Sequence, residues 1–362
     1  MIKARLHLKG VPSCPHGSLP QSEMAKSGLV GREIIDFSAS CNPLGAAPSV
    51  LAALRDIDPS RYPEDGAPVL RRALAEKVGA DSEGIVVGNG SVELMWLLAM
   101  AYLEPGERAL VAGPTFGEYA RACQVVGGCV LQLLAREENG FALDLKAFGR
   151  AIDRERPRLA FLCNPNNPTG QRVTASDVEE LLEHCDQTLL VVDEAYLPFC
   201  DAPPNLMPLL SSGRLLLLRS MTKDHGLAGL RLGYAVARPS IIEDLNRVRL
   251  PWNVSVAAEQ AGLAALRERQ HVERARRVVV EGRAYLSREL SGLGLRVIPS
   301  VANFVLVRVG EGSGFRAVMM NRGICVRDCT SFGLPSYVRI GIRTLPECQM
   351  LVAAVRGVLA DA

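Results

Sequence analysis

The sequence lacks the features that mark several protein classes. It contains no run of about eighteen apolar residues, the length a helix needs to cross a bilayer. Its opening stretch, MIKARLHLKGVPSCPHGS, has no apolar core of the kind that directs export. A cytoplasmic protein with no membrane partner is the expectation. None of its ten cysteines forms a C-x-x-C pair, and the nearest two, Cys325 and Cys329, have no histidines beside them. That spacing argues against a zinc fold, so no metal site is expected and the thiols read as mostly buried and reduced. Neither sign of charge dominates, with 41 Lys and Arg against 39 Asp and Glu. The balance leaves no electrostatic case for a nucleic-acid partner. Repeats and low-complexity segments are also missing.

What is present is an ordinary globular composition, 48% hydrophobic and 22% charged over 362 residues, enough chain for two domains or one large domain with an appendage. Between about residues 84 and 237, seven apolar runs of strand length (EGIVV, RALVA, CVLQLL, RLAFLC, TLLVVD, RLLLLRS and YAVA) alternate with helix-length segments. Such alternation predicts an α/β fold: βαβ crossovers and a mainly parallel seven-stranded sheet covered by helices on both faces. After LPWN the pattern changes to a long charged tract, roughly 254–290, then to short strands in ANFVLVRV, GICVRD and SYVRIGIR and a closing amphipathic helix. The expected organisation is an N-terminal arm with part of a small domain over 1–42, a large domain over 43–253 and a small α+β domain over 254–362.

Ligands of parallel sheets collect at the carboxyl ends of the strands, and the unusual polar residues of this chain lie there. VVGNGSVELMW runs from a strand through Gly88-Asn89-Gly90 into an apolar helix beginning near Ser91. Free N–H groups at such a start suit an anion. LAFLCNPNNPTG sets a rigid Asn/Pro loop over a strand end. TLLVVDEAY delivers Asp193 at the end of a fully apolar strand, with Tyr196 three residues on. That carboxylate could serve a metal, a ribose or a protonated ring nitrogen, and the lack of companion ligands makes the metal the poorest of the three. RLLLLRSMTKDHGLAGLRLGY then places Lys223 just past a strand, with Arg231 beyond it. A lysine, a phosphate cradle and an acid are what pyridoxal 5'-phosphate requires: an amine to bind it, an anchor for its phosphate and a carboxylate to keep its ring nitrogen protonated.

NPNNPTG, DEAY and SMTK followed by GLRLGY together resemble the fold-type I pyridoxal phosphate enzymes, the aspartate aminotransferase superfamily, and the likeness covers nearly the whole chain. The resemblance implies roles for individual residues. Lys223 would be the Schiff-base and proton-carrying lysine, Asp193 the partner of the ring nitrogen, and Tyr196 and Asn167 donors to the cofactor's phenolic oxygen. The phosphate would be held by the backbone around Gly90, Ser91 and Val92 with Ser220 and Arg231, and Phe116 would stack on the ring. Tyr62 would reach the phosphate from a neighbouring subunit, implying a homodimer with shared sites.

Two branches fit. IDFSASCNPLG, LPWNVSVAA and VRIGIRT resemble L-threonine-O-3-phosphate decarboxylases of cobalamin synthesis, with PHGS resembling their H-G-G and Ser18 as a departure. The expectation is therefore a decarboxylase forming (R)-1-aminopropan-2-yl phosphate and carbon dioxide; the alternative is a histidinol-phosphate aminotransferase using 2-oxoglutarate. Either takes a phosphorylated amino compound, which His16, Arg327, Arg339 and Asn167 would bind, with Arg343 as a helper. The bond that breaks is the one held perpendicular to the conjugated ring, so these cations act as positioning clamps. Asp224-His225, where relatives carry bulky aromatics, and Val92, where a polar residue is usual, bear on the substrate.

Overall fold

The computed structural model describes every residue except Met1, Ala4, Ser18, Pro20, Ser27 and Ala362; the Ser18 departure thus lies outside the described residues. Helix α1 (Gln21–Lys26) and strand β1 (Ile35–Asp36) lead into α2 (Pro48–Arg55) and α3 (Pro68–Val78). Strands β2 (Ile85–Asn89), β3 (Arg108–Gly113), β4 (Cys129–Leu134), β5 (Leu159–Cys163), β6 (Leu189–Asp193), β7 (Leu215–Ser220) and β8 (Leu232–Val236) then build one sheet. Its order is β2-β8-β7-β6-β5-β3-β4. Only β8 runs against the rest, pairing antiparallel with both β2 and β7. The sheet of seven mainly parallel strands is the one the alternating pattern predicts.

Because helices cover both faces, the central strands have no solvated side: β5 and β6 are buried at every position. Alternate residues feed opposite cores. Leu162 and Val192 meet α6 (Leu145–Glu155) and α7 (Ala175–Glu183) on one face; Phe161 and Val191 meet α4 (Gly90–Tyr102), α5 (Glu118–Val125) and α9 (Pro239–Val248) on the other. The one-turn helix α8 (Met221–Asp224) interrupts the chain between β7 and β8.

The long charged tract that begins near residue 254 forms two helices. Apolar VAAEQAGLAAL forms α10 (Val256–Leu266), whose Ala258, Ala261 and Ala265 enter the same core as α3 and the large sheet. After a break at Arg267 and Glu268, α11 (Arg269–Gly292) carries the charged face and packs on a second, four-stranded sheet. That sheet has the order β12-β13-β10-β9, from β9 (Arg296–Ile298), β10 (Phe304–Arg308), β12 (Arg327–Asp328) and β13 (Tyr337–Gly341). Helices α12 (Gly312–Asn321) and α13 (Leu345–Ala360) complete its cover, and β11 (Ile324–Cys325) pairs parallel with β1, tying the N-terminal segment to this layer. Phe37, next to β1, is fully buried among Val305, Ile340 and Leu351.

Candidate active site

A cavity of about 620 Å3 opens where β5, β6 and β7 end, between the large sheet and the β12–β13 edge of the smaller one. Lys223 reaches it from α8. That helix exists because Ser220, still extended at the end of β7, caps it: its Oγ accepts from the Thr222 N–H at 3.3 Å and lies 2.7 Å from the Thr222 hydroxyl. From the other side Asn42 clamps the turn, its N–H donating to Lys223 O at 2.7 Å and its Nδ2–H to Asp224 O at 2.7 Å. The Lys223 ammonium lies 5.9 Å from the centre of the Tyr196 ring.

Asp193 is buried at the end of β6. Its Oδ2 accepts from the Tyr119 hydroxyl at 2.7 Å and its Oδ1 from the Ala195 N–H at 2.9 Å. Burial raises its pKa, while Tyr119, Ala195 and the charge of Lys223 work the other way. A cationic ring nitrogen is the partner that would restore its ionised form. Tyr119 in turn stacks on Phe161 at 5.2 Å and meets Phe116 edge-on at 5.7 Å, so Phe116 stands as the outer member of an aromatic column lining the cavity.

The anion end is built on backbone. Gly90 has φ +76°, and a Cβ there would strike Arg231 Nη2 at 2.7 Å; Gly233 is equally constrained, since its Cβ would meet Ser91 N at 2.4 Å. Only glycine lets the guanidinium and the start of α4 approach this closely. Ser91, Val92, Ser220, Thr222 and Arg231 all line the cavity. Arg231 holds a left-handed φ of +58°, and its Nη1–H donates to Ala228 O at 3.2 Å. A helix N-terminus, two hydroxyls and a guanidinium at one end, a buried carboxylate at the other and an amine between them fit pyridoxal phosphate.

Opposite lies a cationic wall. Arg327 and Arg339 face each other across the β12–β13 register. Buried Arg339 donates from Nη1 to Asn167 Oδ1 at 2.5 Å and from Nη2 to Ser38 O at 2.8 Å, and its guanidinium lies 5.1 Å from the centre of the Phe304 ring. Arg327 donates from Nη2 to Pro15 O and Ser331 Oγ, both at 2.7 Å. The Nε of each has no partner among the described residues. His16 completes the wall, its ring 5.6 Å from that of Phe116; partial burial, with Arg327, Arg121 and Arg231 nearby, lowers its pKa, against the opposing pull of Glu118.

Two expected site residues stand apart from this cavity. Arg343 lies past the end of β13 and binds Glu347 through Nε at 2.8 Å and Asp36 O through Nη1 at 3.3 Å, so it braces the α13 start and cannot assist Arg339. Tyr62 is 80% exposed and stacks at 4.6 Å on Trp252, outside the cavity of its own chain. Asp224 and His225 also point away, packing behind the lysine turn beside Glu194 and Arg219. They therefore do not shape the wall that substrate would meet. Sequence reading missed Tyr119, Thr222 and Asn42. Tyr119 follows Phe116 by three residues, a helical spacing that signals a shared face, and Thr222 adjoins the lysine, but nothing local marks Asn42 as a clamp.

The profile of the family described as aminotransferase class I and II matches residues 32–355. The histidinol-phosphate aminotransferase of Moorella thermoacetica is 39% identical over 91% of this chain and 86% of its own. Further relatives of the same name are 34–38% identical. The solved aspartate aminotransferase of Thermus thermophilus with maleate superposes with a TM-score of 0.84 over 98% of this chain and 99% of its own at 24% identity, a likeness of fold alone. The solved L-threonine-O-3-phosphate decarboxylase of Porphyromonas gingivalis has a TM-score of 0.76 and 27% identity, covering 90% of this chain and 98% of that one. The decarboxylase expectation is thereby overturned in favour of the aminotransferase: relatives with that name match this chain at 34–39% identity. With its family profile spanning most of the sequence and a cavity that fits pyridoxal phosphate, the chain belongs to the class I and II aminotransferases, enzymes that use this cofactor.

Proposed function

We propose that the protein transfers the amino group of L-histidinol phosphate to 2-oxoglutarate, giving the corresponding oxo compound and glutamate, as a homodimer. The observation that carries this reading is the cationic wall of Arg327 and Arg339, with the His16 imidazole beside it, in the same cavity as Lys223 and Asp193. Relatives named histidinol-phosphate aminotransferase support the same substrate. When bound, pyridoxal phosphate supplies a conjugated ring into which an electron pair from the substrate's α-carbon can flow. The chain's own groups do the rest. Lys223 binds the cofactor and carries the proton between the substrate's α-carbon and its surroundings; Asp193, aligned by Tyr119 and Ala195, keeps the ring nitrogen protonated.

The arginines give specificity. Histidinol phosphate and 2-oxoglutarate share no side chain, but both are anions, and a planar guanidinium grips phosphate or carboxylate in the same bidentate way. One wall can thus serve both half-reactions. In the dimer, Tyr62 of one subunit would complete the partner's phosphate site, which accounts for an aromatic left exposed on the monomer surface. No helix of the described residues is long and apolar enough to cross a membrane.

The test is a mass-spectrometric product assay on the purified holoenzyme with histidinol phosphate, with and without 2-oxoglutarate. Glutamate and the oxo product should form together, only when both substrates are present. Consumption of histidinol phosphate without stoichiometric glutamate, or no turnover beside active turnover of another amine donor, would refute the assignment.

A further inference from the structure

One cluster at the edge of the cofactor cavity joins His16 to two groups, Cys14 and Glu118, that the proposed amino transfer does not use. Cys14 and His16 lie on the N-terminal segment, and Glu118 opens α5. Cys14 Sγ, a His16 ring nitrogen and a Glu118 carboxylate oxygen lie within 4.8 Å of one another, the one such group of His, Cys, Asp and Glu among the described residues. His16 Nε2 is 3.4 Å from Glu118 Oε1. We propose that Cys14, His16 and Glu118 form a binding site for a thiophilic divalent ion of the zinc type, which fastens the N-terminal segment across the mouth of the cofactor cavity.

The ligand chemistry supports this. Zinc takes sulfur, imidazole nitrogen and carboxylate oxygen at about 2.0–2.3 Å, which places tetrahedral ligands about 3.3–3.8 Å apart. The cluster needs to contract by about 1 Å from its present spread, and two of its three members, Cys14 and His16, lie outside any helix or strand. A thiolate, an imidazole and a carboxylate are the ligand types that suit such a dication. Glu118 is already oriented from behind: it is buried, accepts from Trp96 Nε1 at 3.2 Å and pairs with Arg121 Nη1 at 3.2 Å. Such outer partners hold a ligand in place and tune it. Cys14 Sγ rests where a Cβ on Gly117 would lie, 2.8 Å away, so the glycine admits the sulfur to the start of α5. Three protein ligands leave a fourth position, and both Cys14 and His16 line the cavity. Binding releases the thiol proton to solvent and oxidises nothing.

The consequence is inhibition, because the ion occupies His16, which the proposed substrate site requires, and pins the segment that Arg327 holds at Pro15. Cobalt(II) is the probe, since tetrahedral cobalt absorbs in the red, where pyridoxal phosphate does not. Holoenzyme titrated with cobalt should develop these bands at one ion per chain, and zinc should abolish them and block turnover reversibly by chelator. Cys14→Ser should bind cobalt at least tenfold more weakly and keep its basal activity without zinc inhibition; Glu118→Gln should also weaken binding at least tenfold. Equal cobalt affinity and spectrum in wild type and both variants would overturn the site. The cobalt spectrum needs no turnover, so it decides the matter even if the substrate proposed above is wrong.

Discussion

At the scale of single residues, the site rests on a few groups whose chemistry is separable. Lys223→Ala should abolish both activity and the borohydride-reducible link to the cofactor, leaving the phosphate cradle intact; a reducible adduct surviving in that variant would contradict the role of Lys223. Asn42 tests the scaffold beneath it. Asn42→Ala removes the bond to Asp224 O and leaves a buried carbonyl without its donor, which should lower stability by about 1–2 kcal/mol in denaturant titration. It should reduce kcat with little change in KM and shift the pH titration of the lysine-bound cofactor's absorbance, because the lysine turn loosens while the cationic wall is untouched. Asp193 was legible in the sequence because it ends the apolar run that forms buried β6, and Lys223 because it follows the apolar run of β7 by a few residues. Arg343 was misleading for a local reason. It lies four residues beyond Arg339, which in a continuing strand would share its face, but β13 stops at Gly341 and Arg343 turns to Glu347. Asn42 and Tyr119 act on partners 182 and 74 positions away, and periodicity carries no information about such pairs.

At the scale of elements, the loop bearing Tyr62 is anchored to the loop bearing Trp252 by one ion pair. Asp65 receives both Nη groups of Arg249 at 2.9 Å and the Trp252 N–H at 3.0 Å, and Trp252 itself holds a left-handed φ of +53°. These bonds, the Arg249 side chain foremost, draw the Asp65 carboxyl well below its ordinary 3.8. A depressed folded-state value means the contribution is complete above the unfolded value and is lost as pH falls below about 4 toward the folded one. Asp65 is half exposed, so solvent screening limits the gain; Asp65→Asn should cost about 1 kcal/mol at neutral pH and almost nothing once wild-type Asp65 is protonated. Thermal melts of the two proteins from neutral pH down into that acid range would read the convergence. Element boundaries were less legible than element types. The composition shift after residue 253 marks where βαβ alternation ends, but α10 still belongs to the large core, because its alanines pack against α3 regardless of the charged tract that follows.

At the scale of the whole molecule, the Tyr62, Leu250 and Trp252 side chains are 80%, 70% and 49% accessible, an apolar surface that the proposed dimer would cover. If Tyr62 serves the neighbouring site, two crippled variants should rescue one another. Lys223→Ala mixed with Tyr62→Ala, dissociated and reassociated, should regain up to about a quarter of wild-type activity, from mixed dimers in which one site has both residues. Additive residual activity with no gain on mixing would show that each chain works alone. Strand-by-strand alternation made the large sheet legible as mainly parallel, whereas its order was hidden, because apolar runs do not name their partners. The edge pairing of β2 with the reversed β8 is the clearest case, and the cradle depends on it, since Gly233 of β8 lies against Ser91.

That pairing joins Ile85 to Val236, 151 positions apart. A ribosome adding about 5–20 residues per second takes roughly 8–30 s to travel from one to the other. Throughout that interval β2 has no strand partner, so the edge of the sheet that carries the start of α4 stays unbuilt until β8 emerges. The anchor for the phosphate and the lysine that captures the ring therefore come into being together and late. Cofactor capture by this cradle belongs to the later part of synthesis.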